Sequence, residues 1–134
     1  IRRLQCARSI HIQDYIYLQK LRFEDSVVVD THFSNTCHDK RIAPMILIPF
    51  VENAFKYGVN SSQRNKISCA LTCRDDQVEV TISNRILNSA ETMPSTGVGL
   101  ANVRKRLQLI YPDRHKLEIT EENQVYTVNL QITL

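Results

Sequence analysis

The period of the hydrophobic pattern changes along the chain, and each change marks an element. Residues 10–23, IHIQDYIYLQKLRF, lack Gly and Pro and carry apolar residues on two helical faces. Ile10, Tyr17 and Leu21 make one face; Ile12, Ile16 and Phe23 make the other. A helix apolar on two sides has two things to pack on, its own domain and a partner. VVVDTHF, 27–33, is rich in β-branched residues and predicts a strand. Residues 44–57 predict a second helix, with Pro44 tolerable in its first turn and Pro49 either kinking it or delaying its start. ISCALTC (67–73) and VEVTIS (78–83) alternate as strands do, with Asp75-Asp76 as the turn between them. RILNSAETMPSTG, 85–97, is polar and reads as a mobile loop. GLANVRKRLQLIY, 99–111, is an amphipathic helix stopped by Pro112, with Leu100, Val103, Leu107, Ile110 and Tyr111 as its buried stripe. KLEIT and VYTVNLQITL close the chain as a hairpin.

The fold class that follows is α+β. Helices on one face of a mixed, mostly antiparallel sheet make a two-layer sandwich, the natural way to cover one apolar face of each element. At 134 residues, the chain is long enough for one domain with a real core.

The second helix breaks its own pattern. On a wheel of residues 46–57, apolar side chains fill more than half the circle, and Glu52, Lys56, Pro49 and Asn53 share the remaining arc. That strip is either the solvent face of the helix or the lining of a polar pocket, and the pattern is compatible with both. A short-armed amide beside an acid suits metal or water chemistry. Gly97 and Gly99 stand just before the third helix, where two glycines let backbone approach a bulky anion and first-turn N–H groups point at it; an ordinary turn has the same look. The long polar loop before them favours a lid.

Composition and charge narrow the picture little. A net charge of +3, with only Arg104, Lys105 and Arg106 clustered, argues against a nucleic-acid binder. No apolar run reaches transmembrane length and no signal peptide is present, so the segment reads as intracellular unless it was cut from a longer membrane protein. The cysteines are Cys6, Cys37, Cys69 and Cys73, without a C-x-x-C pair, so no structural zinc site is expected. Cys69 and Cys73 share a strand face roughly 13 Å apart, too far for a mutual disulfide. Buried free thiols, and with them a reducing compartment, are the expectation.

PFVENAFKYG (49–58) and GVGLANVRKRL (97–107), in this order and spacing, resemble the N-box and glycine-rich box of sensor histidine kinases within the GHKL ATPase superfamily. GLANVRKRLQLIYP and the upstream DYIYLQKLRF resemble the LytS/YehU-type branch. The resemblance covers roughly residues 10–134. It implies a Bergerat-type ATP-binding fold over residues 25–134, with 1–24 as the end of a dimerisation and phosphoacceptor region. It implies ATP and Mg²⁺ as cofactors and transfer of the γ-phosphate to a histidine. From there the phosphate would pass to a response regulator, within a homodimer whose membrane segments lie elsewhere in an inner-membrane sensor. By the same resemblance Glu52 is the general base and Asn53 the Mg²⁺ ligand. Lys56 approaches the phosphates and Tyr57 the nucleotide edge. Gly97, Gly99 and the N–H of Leu100 cradle the phosphates under a lid formed by 86–98. Asn102 and Arg106 match positions that recur after the glycine box. Phosphoryl transfer suits such a site, because it needs positioning and charge neutralisation more than covalent help.

Two departures matter. The family's Asp-x-Gly-x-Gly box, whose Asp accepts a hydrogen bond from the adenine amino group, is here Asn84-Arg85-Ile86, without acid or glycines. An amide oxygen still accepts that bond, without the charge that roughly doubles its strength. The acceptor histidine is also missing. His32 in THFSN lies in a strand-like segment too close to Asn53, His11 lacks the surrounding motif, and His38 and His115 read as surface residues. A degenerate module that regulates a partner without turning over nucleotide is therefore the second reading. This segment alone is not expected to autophosphorylate.

Overall fold

The computed structural model describes residues 9–23, 26–34, 37, 42–43, 46–59, 65–87 and 98–134. Element order is α1 (Ser9–Phe23), β1 (Val27–Phe33), α2 (Ile48–Gly58), β2 (Asn65–Arg74), β3 (Gln77–Arg85), α3 (Val98–Ile110), β4 (His115–Glu122) and β5 (Val125–Thr133). The five strands form one sheet in the order β1-β2-β3-β5-β4. Among the described strands β1 and β2 run parallel and the other pairs are antiparallel. The expected mixed, mostly antiparallel two-layer architecture is the one observed.

Alternation decides which face is covered. Ile67, Cys69, Leu71 and Cys73 of β2, Val78, Val80 and Ile82 of β3, and Val128, Leu130 and Ile132 of β5 point into one core. The helices fill that core with Phe50, Val51, Ala54 and Phe55 of α2 and with Val103 and Leu107 of α3. The opposite face of the sheet is polar, with Asn129 donating to Glu79 Oε1 (3.1 Å) and Thr81 Oγ1 (3.0 Å) across β3 and β5.

α2 starts at Ile48, four residues later than its apolar pattern suggests, with Pro49 in its first turn. A proline there loses no helical hydrogen bond, because first-turn N–H groups have no partner inside the helix. Of the two outcomes open for Pro49, the delayed start is the one taken. β3 also runs through Arg85, one residue into the expected loop. The Asp75-Asp76 turn is present, with Asp75 at φ 54°. The final hairpin turns on Asn123 (φ 52°) and Gln124 (φ 63°), both left-handed, which matches the twist of the flanking strands.

α1 has the two faces its sequence predicts. Ile12 and Ile16 are buried in the core, and the Phe23 ring stacks on Phe55 of α2 with centroids 5.8 Å apart. On the other side Tyr17, Leu18 and Leu21 are 62%, 60% and 56% exposed. The side chain of Ile10 lies outside the described residues.

The free-thiol expectation holds for Cys69 and fails for two other cysteines. Cys37 and Cys73 form a disulfide with Cα atoms 5.2 Å apart. Cys37 precedes α2 in a segment with no regular pattern, and only the tertiary fold carries it to the end of β2. With that pair bridged, the cysteines give no ground for a reducing compartment. Cys69 is a buried thiol pushed up to about 12 by burial. Cys6 lies outside the described residues.

Candidate functional site

The polar strip of α2 is set by helical phase. Residues 50, 51, 54, 55 and 58 are buried, so 52, 53, 56 and 57 must turn away from the core. Glu52 is exposed, and Asn53, Lys56 and Tyr57 are half-buried. The Lys56 ammonium lies 5.2 Å from the centre of the Tyr57 ring, within cation–π range. Glu52, Asn53 and Lys56 thus stand side by side over little more than one turn, each with its polar head away from the core.

The Glu52 carboxylate is not loose. Tyr15 of α1 donates its phenol O–H to Glu52 Oε1 at 2.9 Å, and Gln19 Nε2 donates to the Tyr15 oxygen at 3.1 Å. Tyr15 is pushed up to about 12, first by burial and then by the hydrogen bond to Glu52. Sequence reasoning missed Tyr15. The available signal was its phase: Tyr15 and Gln19 lie four apart on the same side of the helix as Ile12 and Ile16.

Asn84 closes the other end of the site. It is 3% exposed at the end of β3, and its Nδ2 donates to the Arg85 carbonyl at 2.8 Å. A carbonyl demands a donor, which fixes the amide's orientation and turns Oδ1 away as the acceptor. A Cβ on Gly58 would come within 2.6 Å of the Asn84 Cβ, so the end of α2 lies directly on this side chain. The chain leaving β3 is tied to the same corner, with Leu87 N–H donating to the Tyr57 carbonyl (2.9 Å) and Ile86 N–H to the Gln124 carbonyl (2.8 Å). Tyr57 and Asn84, 27 residues apart in the sequence, are thereby brought together.

Tyr126 is a second residue missed from sequence. It sits opposite Asn84 in the β3–β5 register, and paired residues share a sheet face. It is half-buried, and its phenol is held above its ordinary value by burial and by the nearby Glu121, against the opposing charge of Arg104. Asn84, Tyr57, Tyr126 and Arg104 therefore border one corner.

α3 supplies the remaining candidates. Gly99 is exposed in its first turn, and among the described residues a Cβ there would meet nothing within 4 Å. Leu100 and Arg106 are half-buried and Asn102 is exposed. Gly97 and most of the expected lid, 88–97, lie outside the described residues. Among the described residues no three His, Cys, Asp or Glu cluster as a metal site, and no helix is long and apolar enough to cross a membrane. His32 is exposed on β1, in the strand its sequence predicts, with Nε2 3.5 Å from Asp30 Oδ1. His115 is half-buried rather than on the surface, its Nδ1 2.7 Å from the Tyr111 carbonyl. His38 lies outside the described residues.

The sheet and its helices have the fold of histidine kinase catalytic domains. The catalytic domain of histidine kinase ThkA superposes with a TM-score of 0.63 at 16% identity, covering 91% of each chain. The blue-light activated histidine kinase of Erythrobacter litoralis superposes with a TM-score of 0.67 at 13% identity, covering 95% of this chain and 42% of that one. In sequence the chain is similar to Sensor protein LytS of Streptococcus mutans, 26% identical over 135 residues. It is also similar to Sensor protein LytS of Staphylococcus haemolyticus, 24% identical over 136 residues. The alignments cover 91% and 90% of this chain but 23% of each relative, so the chain spans under a quarter of these two sensor proteins. No family model matches the sequence. The resemblance to sensor histidine kinases drawn from the two boxes, and to the LytS branch drawn from GLANVRKRLQLIYP and DYIYLQKLRF, is borne out, as is the fold class it implies.

Proposed function

We propose that this chain is the ATP-binding catalytic part of a LytS-type sensor histidine kinase, passing the γ-phosphate of ATP to a histidine carried elsewhere in the protein. The observation that supports this most is the α2 strip, where carboxylate, amide and ammonium stand together on a helix otherwise committed to the core. Asn53 and Glu52 present the oxygens a Mg²⁺–phosphate group needs. Mg²⁺ keeps several waters and takes only one or two protein ligands when phosphates supply the rest, so one amide suffices. When bound, the metal would neutralise phosphate charge. Lys56 would bind phosphate oxygens, and Glu52 would accept the proton of the acceptor histidine.

Gly99 fits the phosphate cradle, because among the described residues nothing comes near enough to require a glycine there. By the resemblance Gly97 and the Leu100 N–H would complete that cradle, with Asn102 and Arg106 in a phosphate-side or a structural role. Asn84, whose Nδ2 is engaged by the Arg85 carbonyl, would accept from the adenine amino group with Oδ1, and Tyr57 would border the base. Residues 1–24 are the end of the dimerisation region and 25–134 the ATP-binding domain. The exposed Tyr17, Leu18 and Leu21 support a homodimer in the parent protein. ThkA has been solved in complex with response regulator protein TrrA, which supports a response regulator as the downstream partner here. The domain would face the cytoplasm of a membrane-anchored sensor.

The test is isothermal titration with a non-hydrolysable ATP analogue, with and without Mg²⁺. Mg²⁺-dependent binding is the expected result. No binding at millimolar ligand would favour the degenerate module, to which the missing acidic box already points.

A further inference from the structure

α1 reaches the proposed catalytic carboxylate directly, and nothing in the function just described uses that contact. From it we infer that Tyr15 is a positioning residue for Glu52, the phenol holding the general base in its working orientation. The inference rests on the kinase reading of Glu52.

The geometry is a directed relay. Gln19 Nε2 donates to the Tyr15 oxygen at 3.1 Å, which occupies a phenol lone pair and leaves the O–H to point at Glu52 Oε1, 2.9 Å away. With Oε1 engaged, Oε2 is the oxygen open to a reacting group. Glu52 is otherwise an exposed side chain with three rotatable bonds, and a base free to sample its rotamers is poorly aimed. The anchor beneath it is firm: Ile12 and Ile16 are buried on the same helix, and Phe23 stacks on Phe55. Tyr15 thus transmits the seating of α1 to the base on α2. The phenol neither takes up the transferred proton nor touches nucleotide, so its removal should slow turnover while leaving nucleotide binding intact.

The test compares wild type, Tyr15→Phe and Gln19→Leu in the longer protein that carries the acceptor histidine. It measures the single-turnover rate of phosphohistidine formation and the Kd for Mg-ATP. Expected are a loss in rate of about tenfold for Tyr15→Phe and about threefold for Gln19→Leu, as fits one hydrogen bond to a charged group and a weaker support behind it. Kd should stay within about twofold. A rate equal to or above wild type in Tyr15→Phe, or a loss that appears wholly in Kd, overturns the inference. If Tyr15→Phe does not fold, Gln19→Leu decides, because Tyr15 remains in place; an unchanged rate overturns the inference. If wild type itself forms no phosphohistidine, the kinase reading has failed and the role of Tyr15 falls with it. A failure confined to the variants leaves that reading standing.

Discussion

Gly58 is pressed against Asn84: a Cβ on the glycine would lie 2.6 Å from the Asn84 Cβ, 2.9 Å from Nδ2 and 3.0 Å from Cγ. The end of α2 and the end of β3 meet with no room for a methyl group, and that contact seats the amide proposed to read the base. Gly58→Ala should therefore cost about 1–3 kcal/mol of stability, the usual range for overpacking. It should also weaken ATP binding, because Asn84 must shift. Urea denaturation and titration calorimetry measure the two effects, and wild-type values in both would mean that the helix end yields.

Asn84→Asp supplies the acid that the family resemblance implies at this position, with a structural cost that sequence alone does not reveal. The Nδ2 donor to the Arg85 carbonyl becomes a second oxygen facing that carbonyl, at a position 3% exposed. The nucleotide-free variant should lose about 1–3 kcal/mol in urea denaturation, as expected when a buried acceptor loses its partner. Calorimetry should show tighter ATP binding and a sharper preference for ATP over GTP, since a charged acceptor favours the adenine amino group. An unchanged ATP/GTP ratio would remove Asn84 from the base site.

Asn53→Ala removes the proposed metal ligand while leaving the buried side of α2 intact. Mg²⁺ should cease to enhance ATP binding, with thermal stability within about 0.5 kcal/mol of wild type, as for a surface substitution. Retained Mg²⁺ enhancement in calorimetry would place the metal elsewhere.

The Cys37–Cys73 bridge closes a loop of sequence separation 36. Chain-entropy arguments put its contribution at about 4 kcal/mol. Urea denaturation with and without reductant should show a loss approaching that value. Under native conditions Cys69 should resist thiol reagents even after the bridge is reduced, because burial keeps its thiol protonated.

Alkaline pH should destabilise the fold in a defined window. Cys69 rises from 9.0, and Tyr15 from 10.0, to about 12 in the folded chain. The unfolded chain therefore ionises first and binds fewer protons, so stability is fully present below pH 9 and declines as pH rises to 12. Tyr15→Phe should flatten the part of that decline above pH 10, read as melting temperature against pH. An identical profile would mean that the phenol ionises alike in both states.

Gln124 holds φ 63° in the final hairpin, a conformation that favours glycine. Gln124→Gly should add about 0.5–1 kcal/mol, because relief of a left-handed side chain outweighs glycine's extra entropy. The carbonyl that accepts from Ile86 is backbone and survives the change. Chemical denaturation checks it; a loss of stability would mean that the Gln124 side chain contributes more than its backbone costs.

The elements and the chemistry to look for are legible in the order of residues alone. Alternation of period two in ISCALTC and VEVTIS, and the period near 3.6 in the helices, depend only on which neighbours share a face. The same phase arithmetic isolated Glu52, Asn53 and Lys56 on α2, and the spacing of two motifs carried the family. Pro49 left a choice between a kink and a late start, and the free N–H groups of a first turn settled it. Contacts between elements were beyond that arithmetic. The Tyr15–Glu52 hydrogen bond, the meeting of Gly58 with Asn84, the pairing of Tyr126 with Asn84 and the Cys37–Cys73 bridge each join residues far apart in the chain. Such contacts depend on how helices seat on the sheet and which strands pair. Those are set by the summed burial of one shared core, not by any local pattern, so only the tertiary structure could decide them.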